Sequence, residues 1–285
     1  MPESVHVPVL FHEALEGLAI RSDGAPVYID ATFGGGGHSA GILERLGPQG
    51  RLVAFDADPS AKPLRDPRFA LVHANFRTLA EHVAAPVDGV LFDLGVSSMQ
   101  LDESPRGFSF RSDAPLDMRL DPSRGETAAH YLARVEEREL ADALYTFGEE
   151  RAARKLAHAI KRKPPKTTTE LATIVSGTLH RPGRRERIHP ATRTFQALRI
   201  AINDELAALE EGLDAAASVL RPGGRLVAIA FHSLEDRIVK TRFRDDPRLR
   251  ALTRKPLTPS LQEQRSNPRS RSAKLRIAER LEDPS

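Results

Sequence analysis

Cysteine is absent from the 285 residues. Disulfides, thiolate zinc sites and cysteine nucleophiles are therefore excluded. Long apolar runs are missing as well, and nothing approaches the roughly 18–20 residues of a membrane-spanning helix. The opening Met1-Pro2-Glu3-Ser4-Val5-His6 has no basic stretch followed by an apolar block. No secretory signal is expected, the expected compartment is the cytoplasm, and no membrane partner is expected. Histidines are scattered without an H-E-x-x-H or H-x3-H pair, so no metal is expected. Aromatic residues make up only 5%, which argues against a broad stacking platform for single-stranded nucleic acid. Strong net charge is lacking too, at +3. The isoelectric point is nevertheless about 9.3, because basic residues cluster at Lys161–Lys166, Arg181–Arg187 and Arg265–Arg276. Such clusters fit an acidic polymer such as nucleic acid, and equally fit solvated faces.

What is present centres on Asp30-Ala-Thr-Phe-Gly-Gly-Gly-Gly-His38. An apolar strand is expected at Val27–Ala31, and a helix-compatible stretch starts near Ser39. Strand, glycine turn and helix in that order let a ligand approach bare backbone at a helix N-terminus. Further apolar strands are expected at Arg51–Asp56, Phe69–Ala74 and Val87–Leu94, with a helix at Arg77–Ala84. Short strands alternating with helices predict an α/β fold with a parallel sheet covered on both faces. Ligands of such sheets sit beyond the carboxyl ends of the strands. Those ends carry Asp30, Asp56, Asn75-Phe76 and Asp93. From about Pro105 the strands stop and helical periodicity takes over, ending in an apolar stripe from Phe195 to Leu213 that reads as one helix. A strand at Arg225–Phe231, a helix at Leu234–Phe243 and short strands at Ala251–Arg254 and Lys274–Ala278 follow. The expected organisation is a split domain, 1–105 with 214–285, interrupted by a helical domain, 106–213.

The glycine loop is neither a phosphate loop nor a good dinucleotide fingerprint. Gly37-His38-Ser39 lacks the lysine of the former, and Ser39 stands at the third glycine of the latter. Asp56 suits ribose hydroxyls, a feature shared by nicotinamide and S-adenosylmethionine sites. Asp93-Leu-Gly-Val-Ser-Ser98 suits a methyl acceptor held beside strand four.

Seven motifs then stand in order: Asp30 to His38, Asp93 to Asp102, Arg106-Gly-Phe-Ser-Phe110, Pro115-Leu-Asp-Met-Arg119, His189 to Arg199, Phe231 to Lys240, and Asn267 to Ser272. Together, over about His6 to Arg280, they resemble the bacterial 16S ribosomal RNA cytosine-N4 methyltransferases. The resemblance implies a class I, Rossmann-like S-adenosylmethionine-dependent methyltransferase fold with an inserted helical domain that recognises substrate. It implies S-adenosylmethionine as donor and a decoding-region cytosine of 16S rRNA as acceptor, in the small ribosomal subunit or a late assembly particle. Its donor-binding positions fall on Gly36, Gly37, His38, Asp56, Phe76, Asp93 and Gln100. Gly35 departs from the pattern, standing where some relatives carry a bulkier residue.

The missing cysteine bears on the chemistry. C5 methylation of cytosine usually adds a thiolate to the ring, whereas methylation of the exocyclic amine needs no covalent intermediate. Asp93 is the first candidate acceptor for that amine, with contact to the donor as its competing role. Ser97 and Ser98 are candidates to orient the amine, and His232 is a candidate proton acceptor. Phe108 and Phe110 are candidates to stack on the target base or to pack between domains. Candidate phosphate contacts are Arg193, Arg199, Arg265, Arg269, Arg271 and Lys274; Arg193 and Arg199 share one helix face with Gln196 and Asn203, where internal salt bridges fit equally well. A non-catalytic RNA-binding assembly factor with a vestigial donor pocket is the competing class, and a nicotinamide oxidoreductase a third.

Overall fold

A computed structural model describes residues 8–84, 86–96, 106–179 and 189–282. Seven strands form one sheet: β1 Val27–Asp30, β2 Arg51–Asp56, β3 Phe69–His73, β4 Val87–Asp93, β5 Leu220–Ala230, β6 Leu249–Ala251 and β7 Lys274–Arg280. Their order is β3-β2-β1-β4-β5-β7-β6. The first five are parallel, while β7 runs antiparallel to both β5 and β6. The chain winds outward from β1 to β3, then crosses back to lay β4 on the other side of β1. The carboxyl ends of β1 and β4 thus flank a topological switch point, where open α/β sheets bind ligands.

The helices are α1 Phe11–Gly17, α2 Gly37–Arg45, α3 Leu79–His82, α4 Ala128–Arg134, α5 Glu137–Gly148, α6 Ala153–Arg162, α7 Thr168–Leu179, α8 Ala191–Asn203, α9 Glu205–Val219, α10 Ser233–Asp245 and α11 Leu261–Ser266. Side chains alternate across the sheet, because successive strand residues point to opposite faces. Tyr28, Leu52, Leu91, Val227 and Ile229 pack with Leu10, Leu15, Ile42 and Leu43 of the α1–α2 side. Ile29, Phe55, Val90, Phe92 and Ala228 pack on the other face with Leu209, Leu213, Val239 and Phe243 of α9 and α10. Burial on both faces is why these strands read as continuous apolar runs. Among the described residues, no helix is long and apolar enough to cross a membrane.

The chain divides into two compact units, Met1–Val96 with Leu206–Ser285, and Ser97–Glu205. The second is helical, with Leu132, Leu140, Leu144, Leu156, Ile160, Leu171, Val175 and Leu198 buried inside it. The boundaries expected at 105/106 and 213/214 therefore shift. The reason lies in the Phe195–Leu213 stripe, which is two helices. Asp204 breaks it with φ 50°, a left-handed conformation that Asp tolerates better than most residues. Phe195 and Leu198 are buried in α8, whereas Leu209 and Leu213 of α9 belong to the sheet's core. Spacing alone carries no record of which core each apolar residue enters.

Smaller differences have similar causes. β5 begins earlier than expected, because Arg221-Pro-Gly-Gly224 is an irregularity within the strand, Gly223 having φ 76°, rather than a turn before it. The Arg77–Ala84 helix shortens to a 3-10 turn, Phe76–Thr78, and the single turn of α3. β6 lies at Leu249–Ala251 rather than Ala251–Arg254, and the stretch between it and β7 holds α11 and a 3-10 turn, Pro268–Ser272.

Candidate active site

Asp30 ends β1 and is buried. Its carboxylate accepts from Thr32 N–H at 3.1 Å and from Ser39 Oγ–H at 2.7 Å, tying the start of the loop to the first turn of α2. Burial pushes its pKa up, against those two hydrogen bonds. The four glycines serve different purposes. Gly36 caps α2 with φ 74°, a conformation costly for any residue with a Cβ. A Cβ on Gly37 would lie 2.4 Å from Pro8 Cγ, so packing excludes one there. Gly35 is exposed and a Cβ on it would meet nothing within 4 Å. The loop is thus held closely at its ends and open at Gly35.

Asp56 ends β2, half-buried. Its Oδ2 accepts from Gly34 N–H at 2.9 Å and its Oδ1 from Asp58 N–H at 2.8 Å. Burial raises its pKa from 3.8 to about 6, although both hydrogen bonds oppose the rise. Each oxygen keeps a lone pair for a further donor such as a ribose hydroxyl. Phe76 follows β3, half-buried, its ring edge-on to Phe92 at 5.4 Å and against the bare backbone of Gly212. One side of the ring is thereby spoken for by the core.

Asp93 ends β4. Its backbone N–H donates to Thr32 Oγ1 at 2.6 Å, which links β4 to the loop after β1. Asp93 Oδ2 stands 3.3 Å from Nδ1 of the buried His38, and Asp93 Oδ1 is buried with no hydrogen-bond partner among the described residues. Burial pushes the His38 pKa down; the hydrogen bond to Asp93 and the charges of Asp93 and Asp30 outweigh it, and the net direction is up. The sequence points to Asp30, Thr32 and Ser39 only through their place around the glycines. Their role as braces for Asp93 and α2 depends on the β1–β4 adjacency, which the sequence does not reveal.

The other expected residues fall into four groups. Ser97, Ser98 and Gln100 lie outside the described residues. His232 caps α10: its Nδ1 accepts from Glu235 N–H at 3.3 Å, and Nε2 stands 3.1 Å from Glu235 Oε1. Glu235 Oε2 accepts in return from the backbone of Phe231 and His232. This is a capping box, so a proton taken up at Nδ1 would break the helix start. Among the basic residues, Arg199 is half-buried and engaged at both ends of its fork by Glu205, at 2.8 Å each, and its neighbours Gln196 and Asn203 bind backbone carbonyls of their own unit. Lys274 shares Asp236 with the buried Arg276. Arg193 is exposed, donating to Glu149 O at 3.4 Å. Arg265 and Arg271 are exposed and Arg269 half-buried. Phe108 is buried, and Phe110 stacks on His189 at 4.5 Å and meets Phe195 edge-on at 5.1 Å within the helical unit.

A central parallel sheet closed by an antiparallel β7, a glycine loop after β1 and carboxylates ending β1, β2 and β4 define a class I, Rossmann-like methyltransferase fold. The chain belongs to the MraW methylase family, whose model matches residues 3–281. Membership makes it a methyltransferase that uses S-adenosylmethionine. It is 48% identical to the ribosomal RNA small subunit methyltransferase H of Xylella fastidiosa (strain M23), over 97% of each chain. It is 49% identical to the protein of the same name from Nitrosomonas europaea, over 98% of each. The one from Stenotrophomonas maltophilia (strain K279a) is 48% identical, over 98% of this chain and 94% of its own. A solved rRNA methylase from Streptococcus thermophilus aligns with a TM-score of 0.45 and 14% identity over 98% of this chain and 100% of its own, which adds nothing to the strand order above.

Proposed function

We propose that this protein methylates the exocyclic N4 amine of a decoding-region cytosine in 16S rRNA, within the small ribosomal subunit or a late assembly particle, in the cytoplasm. The observation that carries the reading is Asp93 Oδ1, a buried carboxylate oxygen without a partner among the described residues, at the end of β4 beside the switch point. Such an atom is costly unless a ligand supplies a donor. The donor fits the residues present. Asp56 has free lone pairs for ribose, the cradle over Gly35 is open, and Phe76 stands just after β3, the strand beside β2, to pack on adenine. Gly36, Gly37, His38 and Gln100 complete the donor side by the family pattern.

When bound, S-adenosylmethionine would supply an electrophilic methyl group: N4 would form the new N–C bond with its lone pair as the S–C bond breaks and sulfur keeps its electrons, and the N4 proton would pass to the Asp93 carboxylate and on to water. The amine is a weak nucleophile because its lone pair is delocalised into the ring. A carboxylate accepting from N–H draws it towards tetrahedral geometry, and alignment supplies much of the remaining acceleration. Asp93 fills that role, with Ser97 and Ser98 orienting the amine. The absence of cysteine supports N4 over C5. The helical unit contacts substrate RNA, and Arg193, Arg265, Arg269, Arg271 and Lys274 reach phosphate, Lys274 at the expense of its pair with Asp236.

The test is transfer of labelled methyl to unmethylated small subunits, naked 16S rRNA and DNA in parallel, followed by nucleoside identification. Label on N4-methylcytidine from RNA is expected. Label at C5, or in DNA alone, would overturn the assignment. No label with any substrate would favour an assembly factor with a vestigial pocket.

A further inference from the structure

Donor binding by the glycine loop does not explain the chemistry of His38. The residue sits in the first turn of α2 and is 5% exposed. A cation there is opposed by the helix dipole and by burial. A side chain needed only for packing would be apolar. His38 instead meets the carboxylate of Asp93 at the end of β4, with Oδ2 3.3 Å from Nδ1, and feels the charge of Asp30 at the end of β1. From the α1 side it faces the uncharged ring of Phe11, nearly parallel at 6.0 Å, and the backbone of Val9. The net rise in its pKa agrees with that surrounding, because the carboxylates outweigh desolvation. Asp93 is in turn gripped twice, by Thr32 at its backbone N–H and by His38 at Oδ2. Only Oδ1 is left over, buried and unpartnered among the described residues.

We propose that His38 is a positioning residue for methyl transfer: its Nδ1–H fixes Asp93 Oδ2, so that Oδ1 is presented in one orientation to the N–H of the acceptor amine. The inference rests on the reading of Asp93 given above. Asp30 adds a second negative charge that favours the protonated imidazole, and Thr32 ties β4 to the loop after β1. The arrangement resembles a carboxylate and histidine oriented by one another, with the carboxylate as the group that touches substrate.

The test uses the full-length protein with small subunits as substrate and the variants His38→Ala, His38→Asn and Asp93→Asn. His38→Ala is expected to lower kcat by about 100-fold, the order of loss that follows misplacement of a reacting group, and to weaken S-adenosylhomocysteine binding by a clearly smaller factor, since the residue also borders the donor. His38→Asn keeps an N–H close to the position of Nδ1 and is expected to restore most of kcat. In the wild type, ring 15N NMR follows the His38 titration directly, and Asp93→Asn is expected to move its midpoint down, because a raising charge is removed. An unmoved midpoint would refute the pairing. An unchanged kcat in His38→Ala, or equal loss of kcat and donor affinity in both His38 variants, would refute the positioning role. If the wild type methylates no RNA, the parent reading fails, while the NMR titration still decides whether the pair exists.

Discussion

Replacing Asp56 with Asn should make the protein more stable and a worse binder of its donor. Burial lifts the Asp56 pKa from 3.8 to about 6. Because the folded value lies above the unfolded one, the stability this group contributes is full below about pH 3.8 and is lost as pH rises towards 6. At pH 8 the ionised carboxylate costs the folded state roughly 3 kcal/mol, at 1.36 kcal/mol per pH unit. Asparagine cannot ionise, but it accepts through one oxygen, so it forfeits one of the N–H bonds from Gly34 and Asp58, worth about 1 kcal/mol. The net gain is roughly 1–2 kcal/mol, a rise in Tm of about 2–6 °C for a chain of this size. Near pH 4 the gain should vanish, because the wild-type carboxyl is then protonated in the folded state, and the cost of burying it that remains, about 0.6 kcal/mol, no longer exceeds the hydrogen bond that asparagine forfeits. Calorimetry at pH 8 and pH 4 reads this directly. Titration with S-adenosylhomocysteine should meanwhile show about 10- to 100-fold weaker binding, the loss of a hydrogen bond to a charged group. A lower Tm at pH 8, a gain that persists at pH 4, or unchanged donor affinity would each refute the reasoning.

Other perturbations follow from the same contacts. Gly212→Ala puts a Cβ 2.6 Å from the Phe76 ring and 3.3 Å from Phe92. It should cost about 1–3 kcal/mol in a denaturant melt and weaken donor binding in step, whereas intact donor affinity would separate Phe76 from the adenine. Arg199→Ala should destabilise by about 1–3 kcal/mol, because Glu205 loses its partner, without changing the salt dependence of RNA binding. Arg265→Ala and Arg271→Ala should do the reverse, each reducing the slope of log affinity against log salt by about 1. Filter binding across a salt series checks all three.

Much of the sheet half was legible because its strands are buried on both faces and punctuated by glycine and proline: β2 lies at Arg51–Asp56 as expected, and β1, β3 and β4 differ by one residue at their ends. The direction of β7 was not legible, since a short apolar run carries no sense of up or down. Asp56 and Asp93 stood out as polar strand ends. The bond from Asp93 N–H to Thr32, and the pairing of His38 with Asp93, depend on β4 lying beside β1, a fact of tertiary order alone. Arg199 shows what spacing leaves open. Its helical spacing with Arg193 and Gln196 suited phosphate and an internal salt bridge equally, and Glu205, placed just past the break at Asp204, is what it meets.

The position of the helical unit bears on how the molecule is made. β4 and β5 are neighbours in the sheet, but residues 97–205 are synthesised between them. At about 5–20 residues per second, β4 waits on the order of 5–20 s with one edge unpaired and its apolar faces only half covered, a state open to mispairing. Slow translation through the basic stretch near Arg181–Arg187 would lengthen that exposure. The nascent chain is therefore most vulnerable to aggregation midway through synthesis, before Leu209 and Leu213 arrive to cover the second face.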